Sequence, residues 1–335
     1  MRTFLASLAL GSLGFGLWAQ APAEAPRPLI ICHAGSLSAA FKQLETTYTQ
    51  RTGVPVQDLA GGSVALVRRI ASGQQACDLY ASADFQNIDL MLKPAGLSGG
   101  GIRFAAGAMV LAYSTTSRGA GTIAAPGTFQ PPAVPMAAAD WYRQLAQPGV
   151  KIAGSHPFLD PGGYRADLIF QLAQAQYQVP GLYNDLLSNM ALGGHPGGLG
   201  QTFDYQFSYE HGALAAWRAH PEGTVRYVRL PDEVNLGAAT PEGRYARGGI
   251  TIPGLGLPGT ADSVRIPATR VTWGIAVMKN SANRDAALAF LELLLGSEGN
   301  AVLKAVGPEP LVPARAPKED VAQLPPALQA LVQPL

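Results

Sequence analysis

Buried strands and amphipathic helices alternate through the first third of the chain. The apolar run at 29–33 predicts a strand, and apolar residues then recur at helical spacing through 37–48. A second strand and helix are predicted at 54–59 and 64–70, and a third strand at 78–84. Strands that alternate with helices are typical of a parallel sheet with helices on both faces.

The second half of the chain continues in the same class. Further strands are predicted at 109–114, 203–209 and 225–230. A long apolar strand at 271–278 precedes a strongly helical segment at 284–295. This order fits an α/β fold of two lobes, which the chain connects more than once.

The lobe boundaries are predicted from this pattern. Lobe I takes residues 27–106 together with 271–335, and lobe II takes residues 107–270. The chain then crosses between the lobes twice, so we expect the segments near 107–114 and 268–275 to act as a hinge.

Composition narrows the class of protein. The 335 residues are 47% hydrophobic and 14% charged, which is typical of a globular protein rather than a disordered one. A formal net charge of +1 gives no electrostatic reason to expect nucleic acid or an anionic membrane as a partner.

The N-terminus has the pattern of a secretion signal. Arg2 supplies a positive charge, residues 5–18 are apolar and small, and Ala19-Gln20-Ala21 forms an A-x-A cleavage site. The apolar run is too short and too rich in glycine for a good membrane span. We therefore expect residues 1–21 to be a signal peptide and the mature protein to be exported to a periplasm.

The chain contains two cysteines, Cys32 and Cys77. In an exported protein they could form a disulfide, but two buried free thiols fit the sequence equally well. Two cysteines alone do not form a metal site.

Catalytic motifs give little support for an enzyme. The sequence has no G-x-S-x-G, H-E-x-x-H, Walker or C-x-x-C pattern. The histidines have no spacing typical of a metal site; they are His33, His156, His195, His211 and His220.

Two Gly-Ser pairs, Gly35-Ser36 and Gly62-Ser63, begin predicted helices directly after predicted strands. Each serine is expected at an N-cap, where simple capping contributes about 1 kcal/mol. Both turns, however, follow the ends of neighbouring parallel strands, where open α/β sheets bind ligands. Two helix N-termini that converge there form an anion site from backbone N–H groups and hydroxyls.

Several motifs together resemble the exported molybdate/tungstate-binding proteins of ABC importers, particularly the tungstate-transport branch. They occur in the family's order and span most of the predicted mature chain; examples are HAGSLSAAFKQLE, GSHPFLDPGGYRADL, FDYQFSYEHGA and GPEPLVPAR. The resemblance implies a two-lobed periplasmic-binding-protein (type II) fold that closes on an oxyanion. It also implies a monomer without catalysis or cofactor, which delivers its ligand to a permease and ATPase.

The resemblance also implies site residues. Ser36 and Ser63 match residues that hold oxo atoms, Asp160 matches a carboxylate that bonds the metal, and Tyr209 matches a hydroxyl donor. A carboxylate oxygen can enter the coordination shell of Mo(VI) or W(VI), whereas the sulfur of sulfate accepts no such ligand. The alternative for Asp160 is simple capping of the helix that begins at Pro161.

This chain departs from the branch in one respect. A second carboxylate, a glutamate upstream of the FDYQFSY strand, is absent because that stretch is shorter here. Glu210 is a candidate replacement, although a strand neighbour of Tyr209 should face the opposite way. His195, or the backbone from Ala191 to Gly194, could line the site instead.

Other residues receive simpler interpretations. Arg165 is expected to anchor the DPGGYR turn, Arg68 and Arg69 to form a solvated helix face, and Trp273 to lie in the core or at the cleft edge. Two rival functions stay open: a binding protein for sulfate, phosphate or an organic anion, and an exported hydrolase that uses Asp160, Glu210 and a histidine.

Overall fold

The computed structural model describes residues 26–127, 129–131, 133–193, 198–220, 224–241 and 243–335. The predicted signal peptide and His195 lie outside these residues. In the described part of the chain, no single helix is long and apolar enough to cross a membrane. The helices at 284–295 and 297–306 pass such a test only as a pair bent by 65°.

The larger sheet contains seven strands in the order β14-β13-β4-β12-β3-β1-β2 within the described residues. Strand β1 is parallel to both β2 and β3, as the alternating pattern predicts, while β12 is antiparallel to β3 and β4. Its strands are β1 Leu29–Ala34, β2 Val56–Gly61, β3 Leu79–Ser82, β4 Ile102–Ala106, β12 Thr272–Val277, β13 Glu309–Ala316 and β14 Val332–Pro334.

The smaller sheet contains five described strands in the order β7-β6-β8-β5-β9. Strand β5 pairs antiparallel with β8 and β9, and β6 pairs parallel with β7 and β8. Its strands are β5 Met109–Ser114, β6 Ile152–Gly154, β7 Met190–Leu192, β8 Tyr205–Tyr209 and β9 Val225–Arg229; β10 Gly249–Pro253 and β11 Ser263–Pro267 form a separate hairpin.

Helices cover both sheets. They are α1 Ser38–Thr52, α2 Ser63–Ala71, α3 Trp141–Leu145, α4 Pro161–Tyr177, α5 Leu182–Ser188, α6 Glu210–Ala219, α7 Arg284–Leu295, α8 Ser297–Val306, α9 Lys318–Val321 and α10 Pro326–Gln329. Helix α1 buries the apolar face that its helical spacing predicts, including Phe41 and Leu44, and packs on α7 and α8. Helix α4 packs on β6 and β8 of the smaller sheet.

The chain passes between the sheets at two adjacent places. Strand β4 of the larger sheet ends at Ala106, and β5 of the smaller sheet begins at Met109. The return segment runs alongside, because the Gly107 N–H donates to the Val271 carbonyl at 3.1 Å and the Val271 N–H to the Leu236 carbonyl at 2.7 Å. The lobe boundaries and the hinge at these two segments stay predictions.

Cys32 and Cys77 form a disulfide, with their Cα atoms 5.9 Å apart. Cys32 lies in β1 opposite Tyr80 of β3, and Cys77 precedes β3 by two residues. Of the two alternatives that the sequence left open, the structure contains the bridged one.

Candidate functional site

Ser36 lies in a short turn between β1 and α1. Residues Gly35–Leu37 form one 3-10 turn, and α1 begins only at Ser38. The Ser36 hydroxyl accepts a hydrogen bond from the Trp273 indole at 3.0 Å, and the Ser36 carbonyl accepts one from His211 Nε2 at 2.9 Å. His211 belongs to α6, so this turn is already held by a residue of the other lobe.

Ser63 is the first residue of α2 and is fully buried. Its hydroxyl accepts a hydrogen bond from the Ala83 N–H at 3.1 Å, and its carbonyl accepts one from the Tyr80 hydroxyl at 2.8 Å. These contacts fix Ser63 against the end of β3, next to the turn that follows β1.

The expectation that both serines occupy N-caps was wrong. Leu37 and Gly62 occupy the N-cap positions, and neither helix has a side-chain cap hydrogen bond. The reason is local backbone geometry, since a 3-10 turn precedes α1 and an extended Gly62 precedes α2. The two serine hydroxyls are therefore not used to cap their own helices.

Gly62 allows lobe II to approach the start of α2 closely. A Cβ atom at this position would lie 2.6 Å from the Leu159 carbonyl oxygen, which is closer than real contacts allow. The same carbonyl accepts a hydrogen bond from the Ala65 N–H at 3.0 Å. The N–H groups in the first turn of a helix have no partner within the helix, and in α2 one of them is thus bonded by the other lobe.

Asp160 is the N-cap of α4, and its Oδ1 accepts a hydrogen bond from the Gly162 N–H at 2.8 Å. Its carboxyl group also lies beside the Ser63 N–H and the Ser155 hydroxyl. Burial raises the pKa of Asp160, although the Gly162 N–H and the positive charge of Arg165 act in the opposite direction. The capping alternative is therefore present, together with a contact to the N-terminus of α2.

Tyr209 ends β8, and its hydroxyl oxygen accepts a hydrogen bond from the Arg165 guanidinium at 2.7 Å. Burial raises the pKa of Tyr209, so the phenol stays protonated at neutral pH. Because Arg165 donates to its oxygen, the hydroxyl proton of Tyr209 is available to a second acceptor.

Arg165 is buried and connects the two lobes. Besides Tyr209, it contacts the Asp84 carboxylate at 3.4 Å, and the same carboxylate accepts a hydrogen bond from the Tyr164 hydroxyl at 2.7 Å. Asp84 follows β3 of the larger sheet, whereas Tyr164 and Arg165 belong to α4. The contacts agree with an anchoring role for Arg165.

An aromatic cluster joins Ser36 to Tyr209. The Tyr209 ring lies 4.9 Å from the Trp273 ring and 5.9 Å from the His211 ring, measured between centroids. Burial lowers the pKa of His211, so this imidazole is neutral at neutral pH. The sequence indicated no site role for His211 and predicted only a core or cleft-edge position for Trp273. The short spacing between Tyr209 and His211 was the one available signal.

The candidate replacements for the second carboxylate are placed as follows. Glu210 is the first residue of α6 rather than a strand residue, and its carboxylate pairs with Arg229 Nε at 2.8 Å. Ala191 lies in β7, where its backbone is paired with Ala153 of β6. Two carboxylates were candidates for the ligand site. Asp160 lies next to the start of α2, whereas Glu210 is bound to Arg229.

Arg68 was predicted to lie on a solvated helix face, but its guanidinium is bound to other parts of the chain. Its guanidinium donates to the Phe158 carbonyl at 2.6 Å and to the Pro253 carbonyl at 2.9 Å. Both carbonyls belong to the segment between the two crossovers, so Arg68 spans the cleft. Arg69, its neighbour, is exposed as expected.

Comparisons with known proteins identify the family. Residues 29–308 match the model of the family described as bacterial extracellular solute-binding protein. A molybdate/tungstate-binding protein WtpA from Thermococcus kodakarensis is 29% identical over 313 residues, which cover 83% of this chain and 81% of that protein. An uncharacterized solute-binding protein from Petrotoga mobilis is 27% identical over 314 residues, covering 87% and 88%.

Solved structures support the fold. The sulfate-binding protein SubI from Mycobacterium tuberculosis superposes with a TM-score of 0.56 at 16% identity, covering 85% of this chain and 87% of SubI. A periplasmic molybdate-binding protein from Azotobacter vinelandii gives a TM-score of 0.52 at 17% identity, covering 85% and 99%. The two-lobed periplasmic-binding-protein fold predicted from the sequence is therefore confirmed.

The family consists of solute-binding proteins rather than enzymes, which agrees with the absence of catalytic motifs in the sequence. Its location outside the cytoplasm is a property of the family. The chain belongs to the bacterial extracellular solute-binding proteins.

Proposed function

We propose that this protein captures molybdate or tungstate between its lobes in the periplasm and delivers it to an ABC permease with its ATPase. The observation that carries the proposal is the close approach of Asp160, from lobe II, to the start of α2 in lobe I, where a Cβ atom added to Gly62 would lie 3.4 Å from the Asp160 Cβ. A carboxyl group and an anion-binding helix terminus then face the same point. The names of the WtpA relatives agree with this ligand.

The proposed ligand contacts come from both lobes. From lobe I, the turns Gly35-Ser36 and Gly62-Ser63 supply backbone N–H groups and hydroxyls to the oxo atoms. From lobe II, Asp160 bonds the metal and Tyr209 donates its free hydroxyl proton. Arg165 orients Tyr209 and adds positive charge behind it, so it positions a donor without touching the ligand.

Asp160 is the proposed source of specificity. A carboxylate next to sulfate is a repulsive element, because sulfur cannot take a fifth oxygen ligand. Mo(VI) and W(VI) are hard centres that accept such a ligand, and the repulsion is replaced by a bond. With Glu210 held by Arg229, one carboxylate acts at the metal, and we propose a coordination number of five.

Sulfate is the second candidate. The structural likeness to a sulfate-binding protein and the pairing of Glu210 with Arg229 favour it, since fewer carboxylates weaken the discrimination.

Calorimetric titration of the purified chain with tungstate, alone and in a tenfold excess of sulfate, tests the proposal. We expect one ligand per chain and an unchanged tungstate affinity in sulfate. Tryptophan fluorescence gives a second readout, because Trp273 contacts Ser36 directly. Displacement of tungstate by the sulfate excess would reverse the assignment in favour of sulfate.

A further inference from the structure

A second cluster of ligand-type side chains lies behind the Ser36 turn, in lobe I. It contains the imidazole of His33, the carboxyl group of Glu45 and the carboxylate of Asp58, and one ligand atom of each lies within 4.8 Å of the others. His33 is in β1, Asp58 is in the edge strand β2, and Glu45 is in α1, which covers this face of the sheet. None of these groups belongs to the proposed oxyanion site.

Glu45 lacks a partner although it is buried. Its residue is 8% exposed, and its Oε1 atom has no hydrogen-bond partner. A buried carboxylate oxygen without a donor is costly, typically 1–3 kcal/mol or more for a charged group. An atom in this state needs an explanation, and a ligand that is not part of the chain is one.

His33 has the orientation of a metal ligand. Its Nδ1 lies 2.8 Å from the Ala34 carbonyl, an oxygen that can only accept, so Nδ1 carries the proton. A histidine that ligates a metal almost always donates its other ring N–H in this way. Its Nε2 is hydrogen-bonded to Asp58 Oδ1 at 2.6 Å, so the two atoms share a proton that a metal ion would replace.

Access and charge also fit a cation. The Asp58 side chain is 40% exposed and lies on the edge strand of the sheet, so it opens the cluster to solvent. A divalent cation that displaces the proton shared by His33 and Asp58 is balanced by the two carboxylates, and the imidazole is then a neutral ligand.

We propose that His33 Nε2, Glu45 and Asp58 bind a divalent transition-metal ion of the zinc type. One nitrogen and two carboxylate oxygens are a set that Zn²⁺ accepts, with water from the Asp58 side as the fourth ligand. Tetrahedral zinc with ligand bonds near 2.1 Å places its ligands about 3.4 Å apart. Binding therefore moves Asp58 away from His33 by about 1 Å, which its exposed side chain permits.

The site would tie β1, β2 and α1 together immediately before the Ser36 turn. His33 is bonded to the Ala34 carbonyl, and Ala34 precedes Gly35 and Ser36. The bound ion would thus act as a structural clasp of lobe I. The proposed metal site does not depend on which oxyanion binds in the cleft.

The test uses the tag-free chain and ZnCl₂ or CoCl₂ as probes, after treatment with EDTA and its removal. We expect one Zn²⁺ per chain by calorimetry, a higher melting temperature with Zn²⁺, and visible absorption of bound Co²⁺ typical of four-coordination. Glu45→Gln and Asp58→Asn each keep the side-chain shape and should lower the Zn²⁺ affinity at least about 100-fold.

Two controls separate this site from others. Glu292→Gln changes an exposed carboxylate of α7 and should leave Zn²⁺ binding unchanged. Asp160→Asn should also leave it unchanged, because Asp160 belongs to the cleft. The proposal is overturned if the chain binds no Zn²⁺ or Co²⁺ at millimolar concentration, or if Glu45→Gln and Asp58→Asn bind as the unaltered chain does.

Discussion

Asp160 is a half-buried carboxyl group and Glu45 a buried one, and their surroundings differ. Asp160 lies beside the N–H groups of Gly162 and Ser63, the Ser155 hydroxyl and the charge of Arg165. Glu45 has a carboxylate neighbour, Asp58, and an oxygen without a donor. The difference shows that burial raises a pKa in both regions, while the donors decide whether the group suits an anion site or a cation site.

The largest expected effect is that of Asp160→Asn on the cleft. Asparagine caps helices as well as aspartate, so the melting temperature should change little. Loss of the metal-ligating oxygen should lower tungstate affinity at least about 100-fold, close to 3 kcal/mol, in a calorimetric titration. Asp185→Asn, in α5, is the matched control and should bind normally. Equal tungstate affinity in both variants would remove Asp160 from the site.

The next effect concerns how closely Asp160 and α2 approach each other. In Gly62→Ala the new methyl group would clash with the Leu159 carbonyl across the cleft. We expect tungstate affinity to fall about tenfold or more, about 1.4 kcal/mol, with little change in melting temperature. Gly121→Ala has open space around its added carbon and is the control. Normal binding by Gly62→Ala would mean that this close approach is not needed.

Removal of one donor should have a similar or smaller effect. Tyr209→Phe deletes the hydroxyl that receives the Arg165 bond, and it should lower tungstate affinity about tenfold. Tyr183→Phe removes a half-buried hydroxyl that donates to the Asp167 carboxylate and serves as the control. If the two phenylalanine variants bind equally well, Tyr209 donates nothing to the ligand.

The smallest expected effect is on stability, at Glu45. Its pKa is about 7 in the folded chain against 4.5 ordinarily, so between these values the folded state holds more protons. The free energy of unfolding therefore falls as pH rises from about 4.5 to 7, in EDTA. Glu45→Gln should flatten this slope and add about 1 kcal/mol at pH 8, measured by urea unfolding.

The unaltered chain and the Glu45→Gln variant both contain His33 and Asp58, so a difference between their pH slopes is due to Glu45. A slope that is the same with and without Glu45 would contradict its raised pKa. Tungstate affinity should not change in Glu45→Gln, in contrast to Asp160→Asn.

Local patterns allowed much of the fold to be predicted. The strand–helix alternation before residue 84 depends on neighbouring residues, and the parallel pairing of β1 with β2 and β3 followed from it. The cap positions were missed because they depend on backbone angles at Leu37 and Gly62, which side-chain identity does not fix.

Long-range contacts explain what the sequence did not indicate at the site. Trp273 and Ser36 are 237 positions apart, and His211 and Ser36 are 175 apart. No periodicity links such residues, and only the paired crossovers bring them together. For Glu45 the sequence likewise predicted only a position in a helix, because its contact with β1 and β2 arises from packing of the complete lobe.

The two crossovers, joined by the Gly107–Val271 hydrogen bond, restrict how the halves of the molecule can move. If the crossovers act as the predicted hinge, two adjacent connections would leave essentially one axis of rotation, whereas a single connection would let one lobe rotate freely. In such a movement the contacts between the lobes, from Arg68 to the Phe158 carbonyl and from Arg165 to Asp84, are expected to break together. Release of a ligand bound between the lobes is therefore expected to be all-or-none, because these contacts are lost in one movement.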